Sequence, residues 1–372
     1  MSLLVPVASS YPFRFALVAG CVVTAAAWLV PPSQAPAAKV SVAIPVVVPP
    51  AAEPVAAPVE PVVAAVAPVR SSELMFVFQA DGDTYMKLAT LEAAKSADGE
   101  APEDGGDHSG VAMPRHGKLR HSHGEDGVDA VTASVALRHV PAAYATWQGQ
   151  KVKVDNICEA TVIGFAVVAR VTGDPSYAGE AETWTAASVM ANGSRMLAAK
   201  LDDCVGTYAR TASLPNVVVP TKLVDAKLQQ AAIAALIASP ASQETQRAWD
   251  AQRTDTGRAP NLWHSDGAVT AEVLRHPITG EIFVSAHGRA DGGCGDPEAN
   301  VWGLFRVVDG SLVPVQLRQL GEIRTIDALI DLEGDGDFEL LGKPWLGDAE
   351  LLTRASGDEI DSLSVPFHGC PC

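Results

Sequence analysis

Residues 326–346 read IDALIDLEGDGDFELLGKPWL, and this stretch decides the fold class. An apolar run stops at a cluster of Gly and Asp, and a second apolar run follows. Strand-forming residues bounded by turn residues read as a β-hairpin. The same pattern recurs on both sides: AVTAEVLRH-PITG-EIFVSAH (268–287), VWGLFRV-VDG-SLVPVQL (301–317) and AELLTRA-SGD-EIDSLSVPF (349–367). Units repeating at roughly 25 residues predict an antiparallel meander, as part of a propeller-like array or as one face of a sandwich.

Farther upstream, ELMFVFQADGDTYMKLATL (73–91) predicts another hairpin, around ADGD. Residues 128–140, 151–156 and 158–173 read as strands, and 141–150 and 184–192 as short helices. RMLAAKLDDC and VGTYARTA (195–212) read as a strand pair. Between the two halves, Leu223, Leu228, Ala231, Ile233 and Leu236 recur close to helical spacing, and Pro240 opens a second helix. The predicted class is α+β, predominantly antiparallel β in a hairpin meander, with a central helical pair. The expected layout is a signal peptide or membrane anchor (1–30) and an extended linker (31–69). An N-terminal α+β region (70–220) follows, interrupted by a disordered insertion at 94–130. The helical pair (221–252) and a C-terminal antiparallel β region (253–372) complete the chain.

The N-terminal segment has a different physics. FALVAGCVVTAAAWLV (15–30) carries no charge; Arg14 precedes it and Pro31 and Pro32 end it. Its length falls between a signal-peptide core and a spanning helix, and either sends the rest of the chain across a membrane. Val18-Ala19-Gly20-Cys21 resembles the lipobox of bacterial lipoproteins, which would make Cys21 a lipid attachment point. Residues 31–69 hold ten prolines and no aromatic residue. Proline removes backbone donors, so no helix or sheet ladder runs through this stretch; an extended polyproline spacer is expected.

Of the whole chain, 48% is apolar and the net charge is -17. Residues 1–69 contribute none of that charge, because Arg14 and Lys39 balance Glu53 and Glu60. An acidic body lacks the clustered cations that nucleic-acid binding requires, so no nucleic-acid partner is expected.

Three groups of residues could carry chemistry. The first is Asp331, Glu333, Asp335, Asp337 and Glu339. Carboxylates at alternate positions, with Gly336 at the sixth, suit a hard cation such as calcium. An EF-hand needs Glu at position twelve, where this chain has Gly342. IDALIDLEGDGDFEL instead resembles the calcium loop of integrin-alpha-type FG-GAP and VCBS propeller blades, although Glu333 stands where Asp or Asn is usual. The resemblance implies a structural Ca²⁺ clamp on a hairpin and no catalysis. The second group is His108, His116, His121 and His123 in the 94–130 insertion, side chains that could hold a transition metal loosely. The third is the cysteines Cys158, Cys204, Cys294, Cys370 and Cys372, which export would oxidise to disulfides. Cys158 and Cys204 fall on neighbouring strand regions.

Signatures of catalysis are missing from the sequence: there is no Gly-x-Ser-x-Gly elbow, His-Glu-x-x-His pair or phosphate-cradling Gly-rich loop. Trp147, Trp263, Trp302 and Trp345 are expected as core anchors. WQGQKVKVDNICEATVIGFAVVARVTGDPSYAG, NVWGLFRVVDG and FHGCPC resemble predicted secreted bacterial proteins, a likeness that implies location and no mechanism. The expectation is a membrane-tethered envelope protein, periplasmic or extracellular, that binds a protein or glycan or serves structurally. The rival is an extracytoplasmic hydrolase built from dispersed residues, with His264 and His287 as its histidines.

Overall fold

The computed structural model describes residues 74–91, 111–124, 127–291, 298–345 and 348–369. Expectations placed on segment 15–30, linker 31–69, Cys21, His108, Cys294, Cys370 and Cys372 lie outside the described residues. The described part is mostly antiparallel β-sheet with few helices, as expected. None of the described helices is long and apolar enough to cross a membrane.

The first hairpin forms as read: β1 (Met75–Ala80) and β2 (Asp83–Thr90) meet at Asp81-Gly82. Part of the stretch read as an insertion is ordered as a strand. β3 (Arg120–His123) lies inside it and pairs antiparallel with β4 (Val128–Val135). β3 is an edge strand, held through its backbone; its polar side chains therefore show no apolar alternation to read. After the short helix α1 (Ala142–Ala145) come β5 (Lys151–Val154) and β6 (Cys158–Gly173). Helix α2 (Ala186–Asn192) starts at Thr185, which forms a reciprocal cap with Ser188. β7 (Ser194–Leu201) and β8 (Tyr208–Thr211) follow.

β7 and β8 do not pair with each other as expected. β7 joins β2 and β6, and β8 joins β1 and β5. With β5 on β6, the six strands β6–β7–β2–β1–β8–β5 close an antiparallel ring. This arrangement turns Leu197, Ala199 and Leu201 of β7 inward onto Val77, Met86, Val152 and Val167, all buried. That burial is the gain that a local β7–β8 hairpin would forgo.

The helical region begins with a strand, β9 (Thr221–Leu223). The helix α3 (Ala226–Ile237) starts at Asp225, whose side chain accepts the amides of Lys227 and Leu228. Helix α4 (Pro240–Asp255) opens on Pro240 as read. A one-turn helix, α5 (Trp263–Asp266), leads into β10 (Ala268–Arg275), β11 (Ile282–Asp291), β12 (Glu298–Val308) and β13 (Ser311–Gln319). These form one sheet, in the order β13-β12-β11-β10-β9. β14 (Thr325–Ile330), β15 (Glu339–Lys343), β16 (Glu350–Arg354) and β17 (Glu359–Leu363) form another. All four predicted C-terminal hairpins exist, split between two sheets rather than strung along one. Last, β18 (Phe367–His368) returns to pair in parallel with β6.

Alternation places the four-stranded sheet in the middle. Ile330, Leu341 and Leu352 face Phe76, Phe78 and Tyr85 on the outside of the ring. Their neighbours Leu329, Leu340 and Leu351 face Phe283, Trp302 and Leu304 of the five-stranded sheet. The other face of that sheet is covered by Leu236, Trp249 and Trp263 of the helices. Trp263 and Trp302 are the buried anchors expected, whereas Trp345 is 43% exposed.

Candidate functional site

The acidic turn joins β14 to β15 and is organised by Asp331, which is fully buried. Its Oδ1 accepts the backbone N–H groups of Glu333 (3.1 Å), Gly334 (2.5 Å) and Asp335 (3.3 Å). Its Oδ2 accepts that of Gly336 (2.7 Å) and the Nε2 of His276 (3.0 Å). Gly334 and Gly336 adopt positive φ (75° and 95°), which lets the chain wrap the carboxylate closely enough to present four amides. The Nδ1 of His276 accepts the Thr279 amide at 3.1 Å. Its proton is therefore on Nε2, and the buried ring donates to Asp331 as a neutral imidazole. The backbone of Asp331 also exchanges two hydrogen bonds with Val218, each 2.9 Å. Phe338 closes the site edge-on against His276 and Phe283.

Around this anchor the turn is negative. Glu333, Asp335 and Asp337 are exposed. Asp335 accepts the Asp337 amide at 2.9 Å, and Glu339 accepts the Leu332 amide at 3.0 Å. Burial, reinforced by Asp331, Asp335 and Glu333, pushes the Glu339 carboxyl up to about 7, against the pull of the Leu332 N–H. From β8, buried Arg210 feels Glu333 and Glu339; its own burial lowers its pKa and these two carboxylates oppose that. Asp331 thus serves the turn internally, since five N–H groups already occupy its two oxygens. Among the described residues no three His, Cys, Asp or Glu side chains converge as a metal site. The exposed carboxylates are those of Glu333, Asp335 and Asp337; Glu339 is half-buried beside them.

The histidines separate. His116 is exposed and bonds to the Gly117 carbonyl (3.1 Å). His121 and His123 lie two apart on β3 and so share a face. They grip opposite oxygens of Asp129, at 2.7 Å and 3.1 Å. Asp129, on the neighbouring strand, was missed by sequence reasoning because only the β3–β4 register brings it there. Cys158 and Cys204 form a disulfide, with Cα atoms 6.2 Å apart. His264 packs edge-on against Trp263, and His287 bonds to Asn300 (2.8 Å), so each has a separate local partner.

A second charged group was not foreseen. Arg170 of β6, 4% exposed, reaches Asp348 at 3.2 Å and lies over the Phe78 ring. Lys343 reaches Asp348 at 3.1 Å and Glu350 at 3.9 Å. Burial pushes the Glu350 carboxyl up to about 7 and also raises that of Asp327. Lys343 and Glu350 are close in sequence, but Arg170 reaches them only through the packing of ring on sheet.

No protein-family model, curated protein or solved structure matches the chain.

Proposed function

We propose that the chain is an exported protein of a bacterial envelope, tethered at the membrane by its N-terminal segment, with a binding or structural role. The observation that carries this reading is the Cys158–Cys204 disulfide, since such bonds persist in oxidising compartments and not in a reducing cytosol. The uncharged 15–30 segment and the proline-rich spacer support it. The test fuses residues 1–70 to a reporter that is active only outside the cytoplasm. It is paired with thiol alkylation of the full chain in intact cells. An active reporter, and two cysteines that alkylate only after reduction, are expected. A silent reporter with freely alkylated Cys158 and Cys204 sinks the reading.

A second element of the proposal concerns the acidic turn. Asp331 orders the loop so that Glu333, Asp335, Asp337 and Glu339 stand on one short segment, and this favours Ca²⁺ as its occupant. Hard cations take six to eight oxygens, with water completing the set. Asp331 would join only by releasing one of its N–H donors. Melting in calcium against melting in chelator is the measurement. A higher Tm in calcium, abolished by Asp335→Ala, is expected; identical melting excludes the ion.

A further inference from the structure

A cavity of about 250 Å³ opens between β13, the edge strand of the five-stranded sheet, and the β16–β17 hairpin. Two of the residues that line it carry a side-chain atom buried without a hydrogen-bond partner among the described residues: Nη2 of Arg318 and Oγ1 of Thr353. Thr353 is only 9% exposed. Unmade hydrogen bonds at buried groups are costly, and such groups in native proteins call for an explanation.

The guanidinium is fixed rather than loose. Nε donates to the Ala355 carbonyl at 2.8 Å and Nη1 to that of Gln319 at 3.3 Å. Its Cζ lies 5.8 Å from the centroid of the Trp302 ring. Gly357, at φ 112°, lets it lie close, since a Cβ there would stand 3.2 Å from Nη1. Thr353 is placed by an irregularity, the register shift between Leu352 and Thr353 where β16 meets β17. Bulges of this kind re-aim side chains and cluster near binding sites. Nη2 is a donor and the threonine hydroxyl can donate, so the pair asks for an acceptor, and the charge of Arg318 asks for an anionic one.

The rest of the wall narrows the choice. Ile323 and Leu351 are apolar and buried, which suits a hydrocarbon group. Glu322 and Glu359 also line the cavity and are exposed. With Asp358 also acting on Arg318, three carboxylates around one guanidinium repel a bare anion unless it brings a cation of its own. We infer that this cavity binds a small zwitterion, an apolar α-amino acid or the end of a short peptide. Its carboxylate sits on Arg318 and Thr353, its side chain on Ile323 and Leu351, and its ammonium faces Glu322 and Glu359. The binding does not depend on export or on calcium.

Calorimetric titration of the full chain tests this with four probes: L-leucine, leucinamide, N-acetyl-leucine and glycyl-leucine. Leucine or glycyl-leucine should bind, the tighter of the two telling a free amino acid from a peptide end. Leucinamide, which lacks the carboxylate, should bind at least about tenfold more weakly, the loss expected for a charged hydrogen bond. N-acetyl-leucine, which lacks the ammonium, should also be weaker, and Glu322→Gln with Glu359→Gln should narrow that gap. Thr353→Val removes an unpartnered hydroxyl at nearly constant volume. Its Tm without ligand should therefore equal or exceed the parent's, while affinity for leucine falls about tenfold. Arg318→Lys should lose affinity too. Heat silence for all four probes at about 10 mM, far above useful affinities, overturns the inference. So does leucinamide binding as well as leucine, or undiminished affinity in the well-folded Thr353→Val chain.

Discussion

The chemistry of the acidic turn is concentrated in one atom group, the carboxylate of Asp331. Four backbone amides and a neutral His276 converge on it in a fully buried place. Removing a buried charged acceptor leaves its donors unmatched, which costs far more than the net worth of the bonds. Asp331→Ala should lower unfolding free energy by about 3–5 kcal/mol. Asp331→Asn is the sharper probe. It keeps the acceptor for three amides but turns an NH₂ group toward the Gly336 amide and the His276 N–H. The imidazole cannot exchange its proton to relieve this, because Nδ1 is engaged by Thr279. A loss of about 1–3 kcal/mol in urea unfolding is expected. An Asp331→Asn chain as stable as its parent would show that the carboxylate does not organise the turn. The acidic pattern was legible because side chains within nine residues share one turn. His276, 55 residues away, was not, because its place depends on two sheets packing.

At the scale of elements, hairpins were legible and ring closure was not. Each hairpin announces itself through a Gly/Asp turn between apolar runs, a local mark. Nothing local marks β7 as the partner of β2 and β6. The near-continuous apolar run of β6, from Phe165 to Val171, was the one available sign that both faces of that strand are covered. The Arg170–Lys343–Asp348–Glu350 group arises from the same long-range packing, and it makes the sheet-to-ring contact sensitive to pH. Glu350 faces Lys343 on β15, Asp327 on β14, Asp348, and Arg170 on β6. Burial outweighs the two cations, so the folded chain holds this proton to about 7. The unfolded chain releases it near 4.3. The folded state therefore binds more protons between these values. This contribution to stability is fully present below the lower value and is lost as pH rises through the upper one. Glu350→Gln stays neutral throughout. It should match the parent near pH 4 and exceed it at pH 8 by on the order of 1–3 kcal/mol. Urea midpoints across that range decide; parallel curves for parent and variant would mean that Glu350 titrates normally.

For the molecule as a whole, the four-stranded sheet is the part on which both neighbours depend. A strand covered on one side alternates apolar with polar residues; β15 and β16 instead carry adjacent leucines, Leu340-Leu341 and Leu351-Leu352, all buried. Leu341 packs toward the ring and Leu340 toward the five-stranded sheet. Neither the outer face of the ring nor the facing side of the five-stranded sheet is buried without this sheet, so folding should be cooperative across the described residues. Leu340→Ala and Leu341→Ala should each cost about 2–5 kcal/mol, the range for truncating a buried leucine. The informative readout is where protection is lost. Under two-state coupling, hydrogen exchange in β1 and β2 of the ring should accelerate in Leu340→Ala as much as in Leu341→Ala, although Leu340 faces away from the ring. Exchange that accelerates only in β11 and β12 for Leu340→Ala, and only in the ring for Leu341→Ala, would instead make the two bodies separate folding units joined by a passive sheet.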